Sequence, residues 1–260
     1  MHEQLRPVNR WAVLGTQFAL TFLVLALWEA GGRAGWIDKV YFSKPSDIVF
    51  QIGDWWRHGY IVGDVITTMS ETIAGLIVGA VIGIVLGIVL ASNRFLGAVF
   101  EPLLVLLNSI PRVTLVPLFI LWFGFQFQSK MASAVALVLF VVFFATYAGI
   151  KDVDPTLVAN ARVMGANRLE IVRHVLVPSA LTWIFSSLRS AVGFALIGAV
   201  VAEYFGANAG VGYRIVYSES NYNTAGVFAG LVILMVLVTL VDTFIRWVQR
   251  RLILWKPASL

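Results

Sequence analysis

From Ile66 to Ala91 the chain carries a single charged side chain, Glu71. A run of that length spans the hydrocarbon core of a bilayer, which takes about 20 apolar residues as a helix. Inside lipid no water is available for the backbone N–H and C=O groups. They must bond within the segment, and a run this long does so as an α-helix. One such stretch therefore already excludes a soluble α/β fold.

Five further runs of this kind follow the same rule: Trp11–Ala30, Gly97–Trp122, Met131–Ile150, Ser179–Glu203 and Ala225–Val248. The expected fold class is an all-α polytopic membrane protein with six transmembrane helices. Composition agrees, with 59% hydrophobic and 13% charged residues, against roughly 25% charged in soluble domains. Trp11–Ala30 exceeds a signal-peptide core and lacks a small-x-small cleavage site, so it reads as a retained first span. Three segments are expected: 1–61 with the N-terminal tail, first span and an external interfacial stretch, 62–250 with five spans, and 251–260 as a tail. In the first, Ile48, Ile52, Trp55 and Trp56 mark one face of a short helix after Pro45. Trp36, Tyr41, Phe42 and Tyr60 suit the membrane interface, where amphipathic rings collect.

Gly75, Gly79, Gly83 and Gly87 recur every four residues in the second span. That spacing places them on one helix face and admits a neighbouring backbone. The third span contains Pro102, Pro111 and Pro117. Proline frees backbone carbonyls, which is tolerated where protein or a wet cavity can satisfy them.

Lys and Arg set the orientation. With six spans both termini share one side, and that side holds Arg6, Arg10, Arg94, Lys151, Arg162, Arg168, Arg173, Arg246, Arg250, Arg251 and Lys256. The other side holds Arg33, Lys39, Lys44, Arg57, Lys130 and Arg214. Both termini are therefore expected in the cytoplasm. The net charge of +5 reflects this bias rather than nucleic-acid binding.

The longest polar interruption of the second half, Lys151–Pro178, lies on that same side. Asp154 followed by Pro155 starts a helix. Leu157, Val158, Ala161 and Met164 form one apolar stripe at helical spacing. Gly165 stands where a left-handed helix end favours glycine. Asn167 and Glu170 make a capping box opening a second helix, expected to end at Pro178. The result is a helical hook over about 154–165 that reads as a docking element.

The hook resembles the signature of binding-protein-dependent ABC importer permeases: Glu-Ala-Ala, three residues, Gly, nine residues, Ile, one residue, Leu-Pro. Here Ala159, Asn160 and Ala161 precede Gly165 by three residues, and Val175, Val177 and Pro178 follow with the spacing kept. Ala159 replaces the signature Glu. The stretches Asn108–Val113, Pro117–Gly124, Ser129-Lys130, Thr146–Gly149, Val200–Gly206 and Gly210–Gly212 resemble the nitrate/sulfonate/taurine-type branch. The resemblance covers roughly 62–256. It implies a type I importer permease fold in the bacterial inner membrane, assembled as a homodimer. Two cytoplasmic ATPase subunits would bind the hooks as coupling helices, and an external solute-binding protein would deliver the solute. The implied coupling residues are Val158, Ala159, Asn160, Ala161, Arg162, Met164, Gly165, Asn167, Arg168, Glu170 and Pro178.

Chemistry of its own is not expected from the chain. The phosphate-cradling pattern G-x-x-x-x-G-K-[ST] has no counterpart, because no Gly-Lys pair occurs. ATP and Mg are expected on the partner ATPase, with no cofactor in this chain. Gly206, Gly210 and Gly212 read as a turn in an outer loop, Tyr204–Thr224. Cysteine is absent, so there is no disulfide, thiol nucleophile or Cys-bound metal. His2, His58 and His174 are scattered and read as surface residues, not metal ligands. Charge within lipid costs at least about 2.5–3.5 kcal/mol, so it should face protein or water. Asn108, Ser109, Pro111, Arg112, Thr114, Glu71, Arg189 and Glu203 are the candidates for a translocation path, with Arg112 attracting an anion. The other reading pairs Arg112 and Arg189 with Glu71, Glu101 or Asp242 as helix staples. A stand-alone channel or ion-coupled carrier is the alternative to an ATP-driven permease.

Overall fold

The computed structural model describes residues 10–38 and 40–252. The readings placed on Arg6, His2, Lys39, Lys256 and the two tails lie outside the described residues.

The chain is helical: α1 Arg10–Arg33, α2 Pro45–Arg57, α3 Tyr60–Ser92, α4 Arg94–Asn108, α5 Val116–Phe123, α6 Phe127–Lys151, α7 Pro155–Val163, α8 Arg168–Ile171, α9 Val177–Phe205, α10 Val211–Ser220 and α11 Thr224–Leu252. Five helices are long and apolar enough to cross a membrane, and a sixth crossing exists if α4 and the segment Arg112–Phe123 count as one bent span.

That bend corrects the expectation of a continuous third span over Gly97–Trp122. The two halves meet at 83°. Pro111 has no N–H to continue the α4 ladder and takes an extended ψ of 96°, and a 3₁₀ turn, Arg112–Leu115, starts the second half. Pro102, by contrast, sits inside α4.

Two compact units emerge from the contacts, residues 1–60 with 215–231, and 61–214 with 232–260. In the first unit, Glu29 of α1 accepts from the Ser46 amide at 3.0 Å and the Ser46 hydroxyl at 2.9 Å, which ties α1 to the start of α2. Ile48 and Trp55 of α2 are buried, whereas Trp56 is exposed. The four-residue face expected for this helix therefore holds only Ile48, Ile52 and Trp55. Trp36, Tyr41 and Phe42 are exposed, as interfacial rings should be. Trp28 meets Phe228 edge-on at 5.6 Å.

In the second unit, α6 is the central element. The four glycines of α3 face it. A Cβ on Gly75 would lie 2.3 Å from the Ala134 Cβ, and one on Gly83 would lie 2.7 Å from the Leu139 carbonyl oxygen. On its other side α9 approaches equally closely, with Gly198 facing Ala134 and Gly149 facing Trp183. Ala80, Ala134, Val138, Val142, Ala191 and Ala195 fill the space between. Small residues at the contact allow this, because in lipid helix association depends on close van der Waals fit.

Two further boundaries differ from expectation. Lys130 is not the end of an outer loop; α6 starts at Phe127 and buries it. The outer segment Tyr204–Thr224 is not all loop, since it contains α10.

Candidate functional site

The hook is built as its sequence dictates. The Asp154 carboxylate accepts from the Thr156 amide at 2.8 Å and caps α7, with Pro155 in the first turn. That backbone N–H holds the Asp154 carboxyl below the usual carboxylate range. Gly165 adopts φ +86°, a left-handed conformation that disfavours residues with a Cβ. The capping box is complete: Asn167 accepts from the Glu170 amide at 2.9 Å, and Glu170 accepts from the Asn167 amide at 2.7 Å. Arg168 Nη2 donates to the Ser92 carbonyl at 3.0 Å, fastening the hook to the end of α3.

The apolar stripe of the hook is split. Val158 and Ala161 are half-buried, while Leu157 and Met164 are exposed together with Val163 and Leu169. Met164 therefore faces outward rather than packing inward, with Ala159, Asn160 and Arg162 exposed beside it. A cavity of about 430 Å³ lies alongside, lined by Ala161, Met164, Gly165, Ala166, Glu170, His174 and Val175. The second helix does not stop at Pro178. Val172–Leu176 widens into a π turn, after which Pro178 falls in the first turn of α9. The wider π turn lets the helix pass the proline's missing N–H, and one helical run of 38 residues extends from Arg168 to Phe205.

The eight path candidates separate into three places. At the bend, Arg112 Nη2 donates to the Asn108 carbonyl at 3.3 Å and to the Asn108 side-chain oxygen, and its guanidinium lies 4.8 Å from the Phe140 ring centre. Ser109 and Thr114 turn their hydroxyls back to the Val105 and Pro111 carbonyls. Arg112 thus pairs with none of Glu71, Glu101 or Asp242, correcting that half of the staple reading; Glu101 instead accepts from Tyr147 at 2.6 Å. Arg189 does pair with Asp242, at 2.9 Å, and Arg246 reaches the same carboxylate at 2.7 Å.

Glu71 and Glu203 belong to a third, buried group. Glu203 Oε1 accepts from the Thr68 hydroxyl at 2.6 Å and Oε2 from the Gly212 amide at 2.6 Å. Asp64 accepts from the Gly210 amide at 2.9 Å and pairs with Arg214 at 2.7 Å. The Val211 amide donates to Thr68 at 2.8 Å. The opening amides of α10, otherwise without partners, thus find them on α3 and α9. Lys130 Nζ donates to the Phe125 carbonyl at 2.6 Å. Among the described residues no group of His, Cys, Asp and Glu could hold a metal ion.

Residues 79–254 match the family model described as the binding-protein-dependent transport system inner membrane component. The chain belongs to this family of importer permeases. A relative described as an aliphatic sulfonates transport permease, SsuC of Bacillus subtilis (strain 168), is 32% identical over 91% of the chain and 86% of its own length. SsuC of Escherichia coli (strain K12) is 28% identical over 97% and 96%. The riboflavin transport system permease RibX of Chloroflexus aurantiacus is 30% identical over 95% and 92%. Among solved structures, the MetNI methionine ABC transporter in inward-facing conformations superposes with a TM-score of 0.65 at 22% identity, covering 74% of the chain and 94% of that chain. An amino acid ABC transporter superposes at 0.61 with 18% identity, over 76% and 95%. The fold is accordingly that of the type I importer permeases, multi-pass in the bacterial inner membrane, and the two SsuC relatives support the sulfonate-type branch expected from the sequence.

In this permease, the residues missed by sequence reasoning are Asp64 and Thr68. A signal was present. Asp64, Thr68 and Glu71 recur at four and three residues and continue the glycine face of α3 from Gly75 towards its N-terminus for about three turns at 3.6 residues per turn.

Proposed function

We propose that the chain is the transmembrane subunit of an ATP-driven importer for a small anionic solute, worked through α7 as its coupling helix. The supporting observation is the hook: a capped helix, a left-handed Gly165 and outward-facing Leu157, Val163, Met164 and Leu169. Apolar side chains on a polar, non-spanning turn mark a protein-binding surface. The docking partner is a cytoplasmic ATPase subunit that holds ATP and Mg; a second copy of the permease and an external solute-binding protein complete the assembly. The excess of Lys and Arg beside the hook supports cytoplasmic termini, and burial of Lys130 removes one cation from the opposing loops.

Arg112 supports the anionic solute. Among the described residues its charge has no carboxylate partner, and it is oriented by Asn108 and Phe140 at the bend of a broken span. Irregular backbone at membrane depth is tolerated where it lines a cavity. Two relatives are named for aliphatic sulfonates and another for riboflavin, and a sulfonate is the first probe. Co-purification of the permease with its ATPase, lost on deleting residues 154–165, tests the coupling reading. Uptake by the permease alone in liposomes would overturn it in favour of a stand-alone carrier.

A further inference from the structure

A cavity of about 550 Å³ opens where the spanning helix α3 ends at Ser92. Three arginines from three elements line it: Arg94, the first residue of α4, Arg162 of α7, and Arg168, the first residue of α8. Among the described residues no acidic side chain lines it. None of the three arginines is paired to a carboxylate there, whereas Arg33, Arg189, Arg214 and Arg246 all are. Like charges gathered around one space repel one another, and an anion placed between them removes that repulsion.

Ser92 adds a second observation. Its carbonyl accepts from Arg168 at 3.0 Å, which ties that guanidinium to the cavity wall. Its hydroxyl is buried with no partner, although buried hydroxyls are ordinarily hydrogen-bonded. The Asn93 side chain already takes the Phe95 and Leu96 amides, so the site is made by side chains and not by the start of α4. The surroundings select the source of the anion. Along α4, Phe95, Val99, Leu103 and Leu106 recur at four, four and three residues and are all exposed. That spacing makes one apolar stripe leading away from Arg94. A phospholipid matches both parts, because its acyl chains leave directly from its phosphate; a free phosphate ion has no use for the stripe. Basic pockets beside spanning helices hold anionic headgroups in this way.

We propose that the cavity between Arg94, Arg162 and Arg168 binds the phosphate of an anionic phospholipid, whose acyl chains lie along α4. The lipid joins the hook to the bilayer, since Arg162 and Arg168 belong to the hook and Arg94 to a half of the bent span. It adds to the single direct bond between Arg168 and Ser92 a second fastening whose strength depends on lipid composition.

Native mass spectrometry of the full permease, purified in detergent and titrated with phosphatidylglycerol or phosphatidylcholine, tests this without solute or nucleotide, so it stands apart from the transport reading. Wild-type protein is expected to bind phosphatidylglycerol several-fold more tightly than phosphatidylcholine, an arm that depends on no variant folding. One arginine contributes about fivefold to affinity for anionic lipid. Arg94→Gln should weaken phosphatidylglycerol binding by that factor, Arg94→Lys should keep most of it, and Arg57→Gln, in α2, should leave it unchanged. Equal binding of the two lipids, or unchanged affinity in Arg94→Gln, overturns the proposal. Displacement of phosphatidylglycerol by inorganic phosphate at constant ionic strength would make free phosphate the ligand and overturn it too. So would loss of the lipid when the ATPase subunit is added, which would make the arginines a protein contact.

Discussion

Gly83 and Gly165 are the same residue used for opposite reasons. At Gly83 the backbone is ordinary helix, and the missing Cβ makes room: the nearest atoms would be the Leu139 carbonyl oxygen at 2.7 Å and the Phe143 amide at 3.0 Å. At Gly165 an added Cβ would meet nothing within 4 Å among the described residues, but φ is +86°. One glycine serves packing between α3 and α6; the other serves the direction of the chain where it leaves α7. A side chain at the first should therefore disrupt assembly, and one at the second should leave assembly intact and disturb only what the hook does.

The sharpest test of that contrast is Gly83→Leu. Backbone on α6 cannot yield as a flexible side chain can, and overpacking costs about 1–3 kcal/mol or more. Detergent extracts should lose the monodisperse permease almost entirely; recovery at wild-type yield would break the comparison. Gly165→Val comes next. A β-branched residue in the left-handed region costs about 1–2 kcal/mol, enough to reshape the hook without unfolding the spans. Yield should match wild type while solute-stimulated ATP hydrolysis of the reconstituted importer falls to its basal level. Arg112→Gln removes the bend's cation, with loss of a ring contact worth about 0.5–2 kcal/mol. Uptake of a sulfonate should drop several-fold with assembly unchanged, and an unchanged uptake rate would remove Arg112 from the path. Asp242→Asn is a milder change, because Arg189 is half exposed and such pairs contribute about 1 kcal/mol or less; a fall of more than a few degrees in Tm would show that pair to matter more. The weakest effect belongs to Asp154. Its carboxyl lies below the ordinary carboxylate range, so its cap is fully present above about pH 3.9 and is lost as pH falls through the lower folded value. Protease nicking within 155–163 should therefore rise only in acid, and Asp154→Asn should abolish that rise.

Most of the frame was legible because lipid imposes it. Run length gave five of the six crossings, and the four-residue glycine period marked the face of α3 that meets α6. What the sequence left unread was set by contacts distant along the chain. Lys130 stood just before an apolar run and so looked like a loop residue; its amine is buried against the Phe125 carbonyl. The start of α10 looked like a glycine turn because its capping groups, Asp64 and Glu203, come from elsewhere. In the hook, caps and Gly165 are local features and were readable, whereas the outward position of Met164 depends on where Val158 and Ala161 find cover. Pro178 misled for a related reason: one wider turn ahead of it lets the helix pass through.

That uninterrupted passage has a mechanical meaning. From Arg168 to Phe205 the chain is a single strut of 38 residues, about 57 Å at 1.5 Å per residue. One end is bonded to the Ser92 carbonyl through Arg168, and near the other Glu203 grips the first turn of α10. Under the proposed coupling, a push on one tip would travel along this helix to the other, with the five-residue π segment Val172–Leu176 as the irregular turn along it.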